Sequence, residues 1–583
     1  MKYEVSSIKY YKCHIQNQKW NILKFFCLAY FFSAIMPKNK FLPFYFFMEK
    51  PKFIFVTGGV CSSLGKGIVA ASTAAILKSA GVKVAIMKMD PYLNVDPGTM
   101  SPFQHGEVFV LNDGAETDLD LGHYERFIDI PLSEYCSVST GKVYSEVLHE
   151  EREGKYLGGT IQIVPHITSK LISRIELAAK KTGAEVMVIE IGGTVGDIEG
   201  EPFIEAIRQM KNKYLKKILC MHLTLLPYLA ASNELKTKPT QLSVRELRRL
   251  GVTADVIFCR ADQKIPKKLL KKVSYFCDVP EEAVIPAETV SSIYEVPIRF
   301  EKFGLGKIVA QKLNLGNLKF KFEEWEKGFE KIKNAKEGIL IGLAGKYNEL
   351  DDAYISVIEA TKSAGYFCNR KIKIVWIDTE KIEEKDLEEW KKLKEVQGII
   401  VPGGFGTRGM EGKILVAQFC REHEKPYLGL CLGSQIMAIE FARHILKIKD
   451  ATSEEFEDAP KSKNHIVHFM DGQRHITHKG ATMRLGAYPC VIKKGTLAHR
   501  VYAQNEISER HRHRYEFNNK YRDAFEKAGF IISGVSPDKH LVEIVELKNH
   551  PYMIGSQFHP EFLSRPFKPH PLFRGFVEAI VGK

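Results

Sequence analysis

Phe53-Ile54-Phe55-Val56-Thr57-Gly58-Gly59-Val60-Cys61-Ser62-Ser63-Leu64-Gly65-Lys66-Gly67 is the stretch on which the fold of this chain turns. Four apolar residues predict a short buried strand. A turn rich in glycine and serine follows. The chain then reads as a helix from Ile68 through Ala75 to Lys78, closed by Gly81, and as a second strand from Val82 to Met89. The first turn of this strand–helix–strand unit lies at a helix N-terminus. Backbone N–H groups and the helix dipole attract phosphate oxygens there, and Lys66 adds a mobile positive charge. The turn departs from the strict Gly-x-x-x-x-Gly-Lys-Ser/Thr pattern, with Val60 at the first glycine and Gly67 at the hydroxyl position. A metal must therefore be held partly from elsewhere.

Carboxylates suited to that task lie downstream. Glu190 ends the apolar run Val186-Met187-Val188-Ile189 and leads into Ile191-Gly192-Gly193-Thr194-Val195-Gly196-Asp197-Ile198-Glu199. Asp118 and Asp120 sit in Glu116-Thr117-Asp118-Leu119-Asp120-Leu121-Gly122. A lone loop carboxylate is usually only solvated. A strand end among glycines is where parallel sheets bind ligands, and oxygen ligands with phosphate suit Mg²⁺.

The second half carries a different chemistry. In Gly429-Leu430-Cys431-Leu432-Gly433-Ser434-Gln435, a strand (Pro426-Tyr427-Leu428) runs into a sharp turn and a helix. Such a turn lifts a nucleophile above the sheet, and small flanking residues prevent collision. A lone cysteine is most often an inert buried thiol. Here His559-Pro560-Glu561 supplies a base and a carboxylate to orient it, the outline of an acyl-transfer site. The loop Pro402-Gly403-Gly404-Phe405-Gly406 is placed to offer N–H groups to an oxyanion. These residues resemble a class I glutamine amidotransferase, in which a thiolate attacks the glutamine amide, releases ammonia and leaves a thioester for water to hydrolyse. Such a domain needs a partner that consumes the ammonia.

The whole chain is consistent with that pairing. A length of 583 residues allows two to four domains. A hydrophobic content of 45% with 26% charged residues fits a soluble enzyme. Eleven scattered cysteines without a Cys-x-x-Cys pair exclude a disulfide framework and a zinc ribbon, and point to a reducing compartment. Of the +14 formal charge, residues 1–47 supply seven lysines against one glutamate. The remaining modest excess suits nucleotides and does not imply nucleic-acid binding. The apolar run Phe25–Met36 is shorter than the roughly 20 residues a membrane span needs. No convincing signal-cleavage site follows it. Residues 1–47 read as an extension or misassigned start outside the fold, with a targeting role as the alternative.

The block from Lys88 to Glu125 contains Asp90-Pro91-Tyr92-Leu93-Asn94-Val95-Asp96-Pro97-Gly98-Thr99-Met100-Ser101-Pro102 and His105-Gly106-Glu107. With Lys236-Thr237-Lys238-Pro239-Thr240-Gln241 and Ser292-Ile293-Tyr294, it closely resembles the CTP synthases, over about residues 51–580. That resemblance implies an α/β fold: a parallel-sheet synthetase domain of the P-loop, dethiobiotin-synthetase-like type, joined to the amidotransferase domain. It implies that ATP phosphorylates the uracil 4-oxygen of UTP and that channelled ammonia displaces the phosphate. The implied ATP contacts are Ser63, Leu64, Gly65, Lys66, Gly67, Ile68, Asp120 and Val290. Asp120 and Glu190 would hold Mg²⁺. The implied UTP and CTP contacts are Ser62, Lys88, Asp197, Ile198, Glu199, Lys236, Thr237, Lys238, Pro239, Thr240, Gln241 and Lys272. Lys66 and Lys88 would also neutralise charge during phosphoryl transfer.

In the amidotransferase half the resemblance makes Cys431 the nucleophile, His559 the base and Glu561 its partner. Gly404, Leu432, Gly433, Ser434, Gln435, Glu455 and Arg514 would hold glutamine. It further implies activation by GTP, feedback inhibition by CTP, a cytoplasmic homotetramer, and no nucleic-acid or membrane partner. In Arg510-His511-Arg512-His513-Arg514, read as a strand, the histidines share one face and the arginines the other. The expected organisation is a synthetase domain over 48–316, a helical linker over 317–337 and the amidotransferase over 338–583. Residues 447–479, polar and short of glycine signals, read as surface loops. Two rival readings remain at this point. One is a glutamine-dependent ligase acting on another acceptor; the other is a non-catalytic P-loop switch or filament scaffold. Fold alone separates neither.

Overall fold

A computed structural model describes residues 51–346, 350–456, 462–474 and 480–582; the extension read at residues 1–47 lies outside the described residues. Strand β1 (Lys52–Gly58) is buried along its whole length. Ile54 and Val56 enter one apolar cluster while Phe53 and Phe55 enter another on the opposite face. A run that is apolar at every position therefore marks a strand covered on both sides. Helix α1 (Lys66–Ser79) covers the first face, and its alanines allow close approach to the sheet.

Six more strands complete this sheet: β2 (Val84–Asp90), β3 (Ser137–Ser139), β4 (Val186–Ile191), β5 (Ile218–Leu225), β6 (Val256–Ala261) and β7 (Val284–Glu288). Their order is β7-β6-β5-β1-β4-β2-β3, and every pairing is parallel. All carboxyl ends consequently reach one edge. Lys88 and Glu190 are register partners on β2 and β4, which delivers a cation and a carboxylate to the same spot. Helix α2 (Asp120–Ile128) packs beside α1 at that edge.

Helix α3 (Lys238–Arg249) precedes β6, and helix α4 (Glu323–Asn334) leads into the second sheet. In α4, the ring of Trp325 meets Phe127, Tyr294 and Phe567, and its indole N–H donates to the Tyr294 carbonyl at 2.8 Å. One aromatic side chain thus packs against residues from both halves of the chain.

The second sheet has nine strands: β8 (Lys336–Gly345), β9 (Arg370–Asp378), β10 (Gly398–Val401), β11 (Tyr427–Leu430), β12 (Arg484–Ile492), β13 (Glu506–His513), β14 (Phe530–Val535), β15 (Val542–Leu547) and β16 (Met553–Ser556). The order is β9-β8-β10-β11-β16-β15-β14-β12-β13. The pairings from β9 to β16 are parallel, and those from β16 to β13 antiparallel. Apolar clusters again cover both faces.

The region read as surface loops, 447–479, is partly a sheet. Thr452–Ser453, His465–Phe469 and Tyr515–Phe517 form three strands, and Ala451, Phe456, Ile466 and Val467 are buried. These strands are short and bury few residues each, so they leave no apolar run in the sequence. Among the described residues no helix is long and apolar enough to cross a membrane.

Phe258 on β6 is fully buried, with its ring 4.9 Å from that of Phe300. Phe258→Ala is expected to destabilise the protein by about 3–5 kcal/mol. Leu387→Ala, at a side chain 84% exposed, should stay within about 0.5 kcal/mol. Chemical denaturation of the two variants beside the parent chain checks both.

Candidate active site

The glycine-rich turn reaches its shape through unusual backbone angles. Val60 and Ser63 take φ of +87° and +57°, and Gly65, at +96°, caps α1. Val60 holds the left-handed conformation although a β-branched residue seldom adopts it. The Lys66 stem runs over Gly58, where an added Cβ would lie 2.7 Å from Cδ. Its ammonium donates to the Gly193 carbonyl at 2.6 Å. A Cβ on Gly67 would come within 3.2 Å of Glu190 Oε2 and would crowd Asp120 as well. The missing hydroxyl residue is thus explained by room: carboxylates from α2 and β4 close directly on the turn.

Lys88 is buried among those carboxylates. It donates to Asp120, pairs with Glu190 Oε1 at 3.0 Å and lies 3.7 Å from Asp90. Tyr124, one helical turn after Asp120, donates its hydroxyl to Glu190. Burial alone would discharge Lys88, but Asp120, Glu190 and Asp90 outweigh it and raise its pKa well above the ordinary lysine value. Burial lowers the pKa of Lys66, opposed by Glu190. Burial also pushes the neighbouring His123 down to about 4, so its imidazole is neutral.

Around this cluster lies a cavity of about 850 Å³ lined by Ser62 to Ile68, Lys88, Asp120, Glu190, Asp197 and Glu199. A second cavity of about 230 Å³ opens on the other side of the turn. It is largely apolar, with Leu64, Ile68, Val69, Val290 and Phe300 around Arg260, whose guanidinium donates to Thr289 Oγ1 at 2.8 Å. Reading the sequence alone misses Arg260, Tyr124 and His123. The spacing of Tyr124 from Asp120 is a usable signal; Arg260 has none.

The remaining nucleotide contacts expected from the resemblance stand apart from the large cavity within the single chain. Ile198 is exposed. Lys236 is half-buried and pairs with Glu234, and Lys272 is exposed. Thr237 accepts from Gln241 Nε2 at 3.1 Å, while Lys238 and Gln241 line a small pocket on α3 with Phe276. Pro239 lies in the first turn of α3. Thr240 turns inward to Thr224 and the Leu225 carbonyl.

The thiol site follows from the second sheet. Cys431 joins β11 to helix α5 (Leu432–His444) with φ of +50° and ψ of −99°, a strained strand-to-helix turn of the kind that can expose a side chain above a sheet. Its N–H donates to Ser556 at 2.7 Å. Leu430 and Ser556 are partners on β11 and β16, so the chain leaving β16 carries His559 to the thiol. The two glycines beside Cys431 are needed for packing. A Cβ on Gly433 would lie 2.1 Å from the Val401 carbonyl oxygen, and one on Gly429 2.6 Å from the Gly433 backbone.

His559 Nδ1 lies 2.7 Å from Glu561 Oε1, while its Nε2 is buried without a hydrogen-bond partner. Gly403 lies against both groups: a Cβ there would be 2.7 Å from His559 Cε1 and 3.5 Å from Cys431 Cβ. Burial disfavours the imidazolium, but Glu561 and Cys431 outweigh it and raise the His559 pKa to about 10. Gln557, which no sequence motif marks, donates to Cys431 Sγ at 3.5 Å and is held by Gln435 at 3.1 Å. Gln435 therefore points inward. Ser434 packs its hydroxyl against Gly555. Leu432 touches Gly404. Glu455 accepts from the Gly406 N–H at 2.8 Å and is close enough to Arg514 to feel its charge. Arg514 also contacts Gln473.

A cavity of about 270 Å³ is lined by Cys431, His559, Gly403, Gly404 and Phe405 from the second half and by Gly98, Thr99, Met100, Pro102, Glu107 and Val108 from the first. The other side of the same segment, residues 103–106, lines the 850 Å³ cavity. One short stretch of chain separates the two sites.

A family model described as CTP synthase N-terminus matches residues 52–315, and one described as class-I glutamine amidotransferase matches 349–579. A CTP synthase of Roseiflexus castenholzii is 55% identical over 530 residues, covering 91% of this chain and 95% of the relative. The chain belongs to the CTP synthase family. A CTP synthase of Dehalococcoides mccartyi is 56% identical over 529 residues, 91% of this chain and 96% of its own. Among solved structures, the glutaminase domain of Trypanosoma brucei CTPS with bound acivicin matches at 37% identity, with a TM-score of 0.40, over 42% of this chain and 95% of that one. The chain is accordingly a glutamine-hydrolysing ligase that converts UTP to CTP.

His559 gains its proton affinity from Glu561, so its contribution to stability is complete below the unfolded imidazole pKa near 6.5. That contribution is lost as pH rises through about 10. In Glu561→Gln the larger of the two interactions that oppose burial is gone, and the His559 pKa should fall well below about 10. NMR titration of the His559 ring measures the change; a pKa still near 10 in the variant would contradict this origin.

Proposed function

We propose that the two sites divide the reaction at the wall formed by residues 103–106, with residues 48–316 as synthetase, 317–337 as linker and 338–583 as glutaminase. The convergence of Lys66, Lys88, Asp120 and Glu190 under a glycine-rich turn is the observation that carries this reading. ATP phosphates lie on the turn from Ser63 to Gly67, and the apolar cavity with Ile68 and Val290 takes the adenine. Mg²⁺ suits Asp120 and Glu190. Among the described residues no cluster of three or more His, Cys, Asp or Glu side chains forms a closed metal site, and Mg²⁺ characteristically completes its shell with phosphate oxygens and water. Bound there, the metal would offset charge on the phosphates.

Lys66 and Lys88 stabilise the γ-phosphoryl group as it passes from ATP to the uracil 4-oxygen. UTP extends past Ser62 toward Asp197 and Glu199. The Lys236–Gln241 segment and Lys272, apart from the cavity in one chain, suit a nucleotide shared with a neighbouring copy in a homotetramer. CTP, as product and feedback inhibitor, uses the same residues.

In the other half, the Cys431 thiolate attacks the glutamine side-chain carbonyl carbon. N–H groups of the Gly404 loop and of the start of α5 receive the oxyanion. Protonated His559 gives its Nε2 proton to the departing nitrogen, and ammonia leaves. His559 then takes a proton from the water that hydrolyses the thioester, returning glutamate and the thiolate. Glu455 and Arg514 hold the amino and carboxylate ends of glutamine. Ammonia enters the 270 Å³ cavity, crosses the wall and attacks uracil C4, from which phosphate departs. GTP acts as activator, and the enzyme works in the cytoplasm.

Cys431→Ala is expected to abolish CTP formation from glutamine and to preserve it from added ammonia. Lys66→Ala should abolish both, because phosphorylation precedes amination. Assays with UTP, ATP and Mg²⁺ and either nitrogen source decide. Loss of both activities in folded Cys431→Ala, or near-normal ammonia-dependent synthesis in Lys66→Ala, would overturn the division.

A further inference from the structure

Helix α2 faces both sites at once. On the nucleotide side it contributes Asp120, paired with Lys88, and Tyr124, bonded to Glu190. On the other side Glu125, with its side chain fully buried, accepts from Arg510 at 3.0 Å and from Arg565 at 2.9 Å. Arg126 donates to Ser356 of the glutaminase half at 3.1 Å. Arg510 is itself fully buried, and it also donates to Asn112 Oδ1 at 2.6 Å and to the Val110 carbonyl at 3.1 Å.

Both arginines lead to the catalytic histidine. The Arg510 carbonyl accepts the His559 N–H at 2.8 Å. Arg565 donates to the carbonyl of Phe562, just beyond the His559–Glu561 pair, at 3.1 Å. Two residues along β13, the Arg512 carbonyl accepts from Cys431 Sγ at 3.8 Å. A short helix with Asp120 and Glu125 five residues apart is stiff, and buried charge pairs cannot re-form in a displaced geometry without loss of partners.

We infer that Glu125 and Arg510 are positioning residues that relay occupancy of the nucleotide site, through α2, to His559 and Cys431. The inference rests on the assignment of the two sites proposed above. When ATP and metal engage Asp120 and Glu190, α2 settles against phosphate. The Glu125–Arg510 pair then sets the strand whose carbonyls hold the base and face the thiol. Glutamine hydrolysis is thereby tied to the presence of a phosphoryl acceptor and donor, limiting release of ammonia with no uracil to receive it.

The test uses the full chain and three readouts: glutamate release with and without ATP, UTP and Mg²⁺; CTP formed from ammonium chloride; and CTP formed per glutamate released. In the parent protein the nucleotides should raise kcat for glutamine hydrolysis. Glu125→Gln is expected to cut that rise by about tenfold, within the range of couplings between sites. KM for glutamine and ammonia-dependent synthesis should be unchanged, and glutamate release should exceed CTP. Asn112→Ala, which removes only one Arg510 acceptor, should show a smaller loss of the same sign, and it decides the matter if Glu125→Gln does not fold. Asp129→Asn, which touches only Arg565, is the control and should keep the coupling. A folded Glu125→Gln or Asn112→Ala protein with the full rise and one CTP per glutamate overturns the relay, as does a parent protein with no rise. Failure of the parent to make CTP from ammonia would instead overturn the site assignment.

Discussion

Two guanidinium groups meet a single carboxylate where water does not reach: Arg510 and Arg565 both donate to Glu125. Desolvating three charges is expensive, and pairs of this kind add little net stability compared with a well-packed apolar core. Their value is directional. An apolar interface tolerates sliding, whereas two guanidinium groups converging on one buried carboxylate cannot shift without leaving a charge unpaired. Ammonia has to leave one sheet and arrive at the other, so the carboxyl edges of the two sheets must keep a fixed relation. The aromatic contacts of Trp325 supply buried area to this interface; the arginines supply its register.

The same logic governs the cluster under the glycine-rich turn. Lys88 is enclosed by Asp120, Glu190 and Asp90, which keep it charged in spite of burial. Any polyphosphate that enters brings negative charge to a place where carboxylates already face two lysines. Lys66 is less firmly held: its ammonium rests on the neutral Gly193 carbonyl, and burial lowers its pKa. Lys88 is thus held by charge, and Lys66 by a single neutral carbonyl.

Much of this architecture is legible in the amino-acid sequence. The buried strand at Phe53–Val56, the turn, the helix after it and the strand ending at Glu190 follow from apolar runs and glycine placement. The turn at Cys431 follows from its glycine bracket. What sequence does not carry is contact across long separations. Nothing in the spacing of Glu125 and Arg510 announces their pairing, since each reads locally as a charge on a surface element. Arg260 and Gln557 are silent for the same reason. The polar segment around Thr452 and His465 hides its strands because a three-stranded sheet at the rim buries only a few residues per strand. The arginine and histidine faces of Glu506–His513 are visible as alternation, but not which partner each face meets.

Those faces also show how one fold separates histidines that look alike. His511, His513 and His559 are all buried. Burial, with Arg484 beside them, lowers His511 well below the ordinary imidazole value and His513 to about 3. Glu543 approaches His511 at 3.8 Å but already accepts from Arg484 at 2.8 Å, so its charge is claimed. His559 has Glu561 at 2.7 Å, and under the same burial that carboxylate and the thiol carry its pKa to about 10. A carboxylate committed to the imidazole, and not to an arginine, is what distinguishes His559 from its neighbours. Of the three, the imidazole beside the thiol is then the one that carries a proton at neutral pH. Glu561 engages its Nδ1, which leaves the buried Nε2 as the other proton-bearing nitrogen.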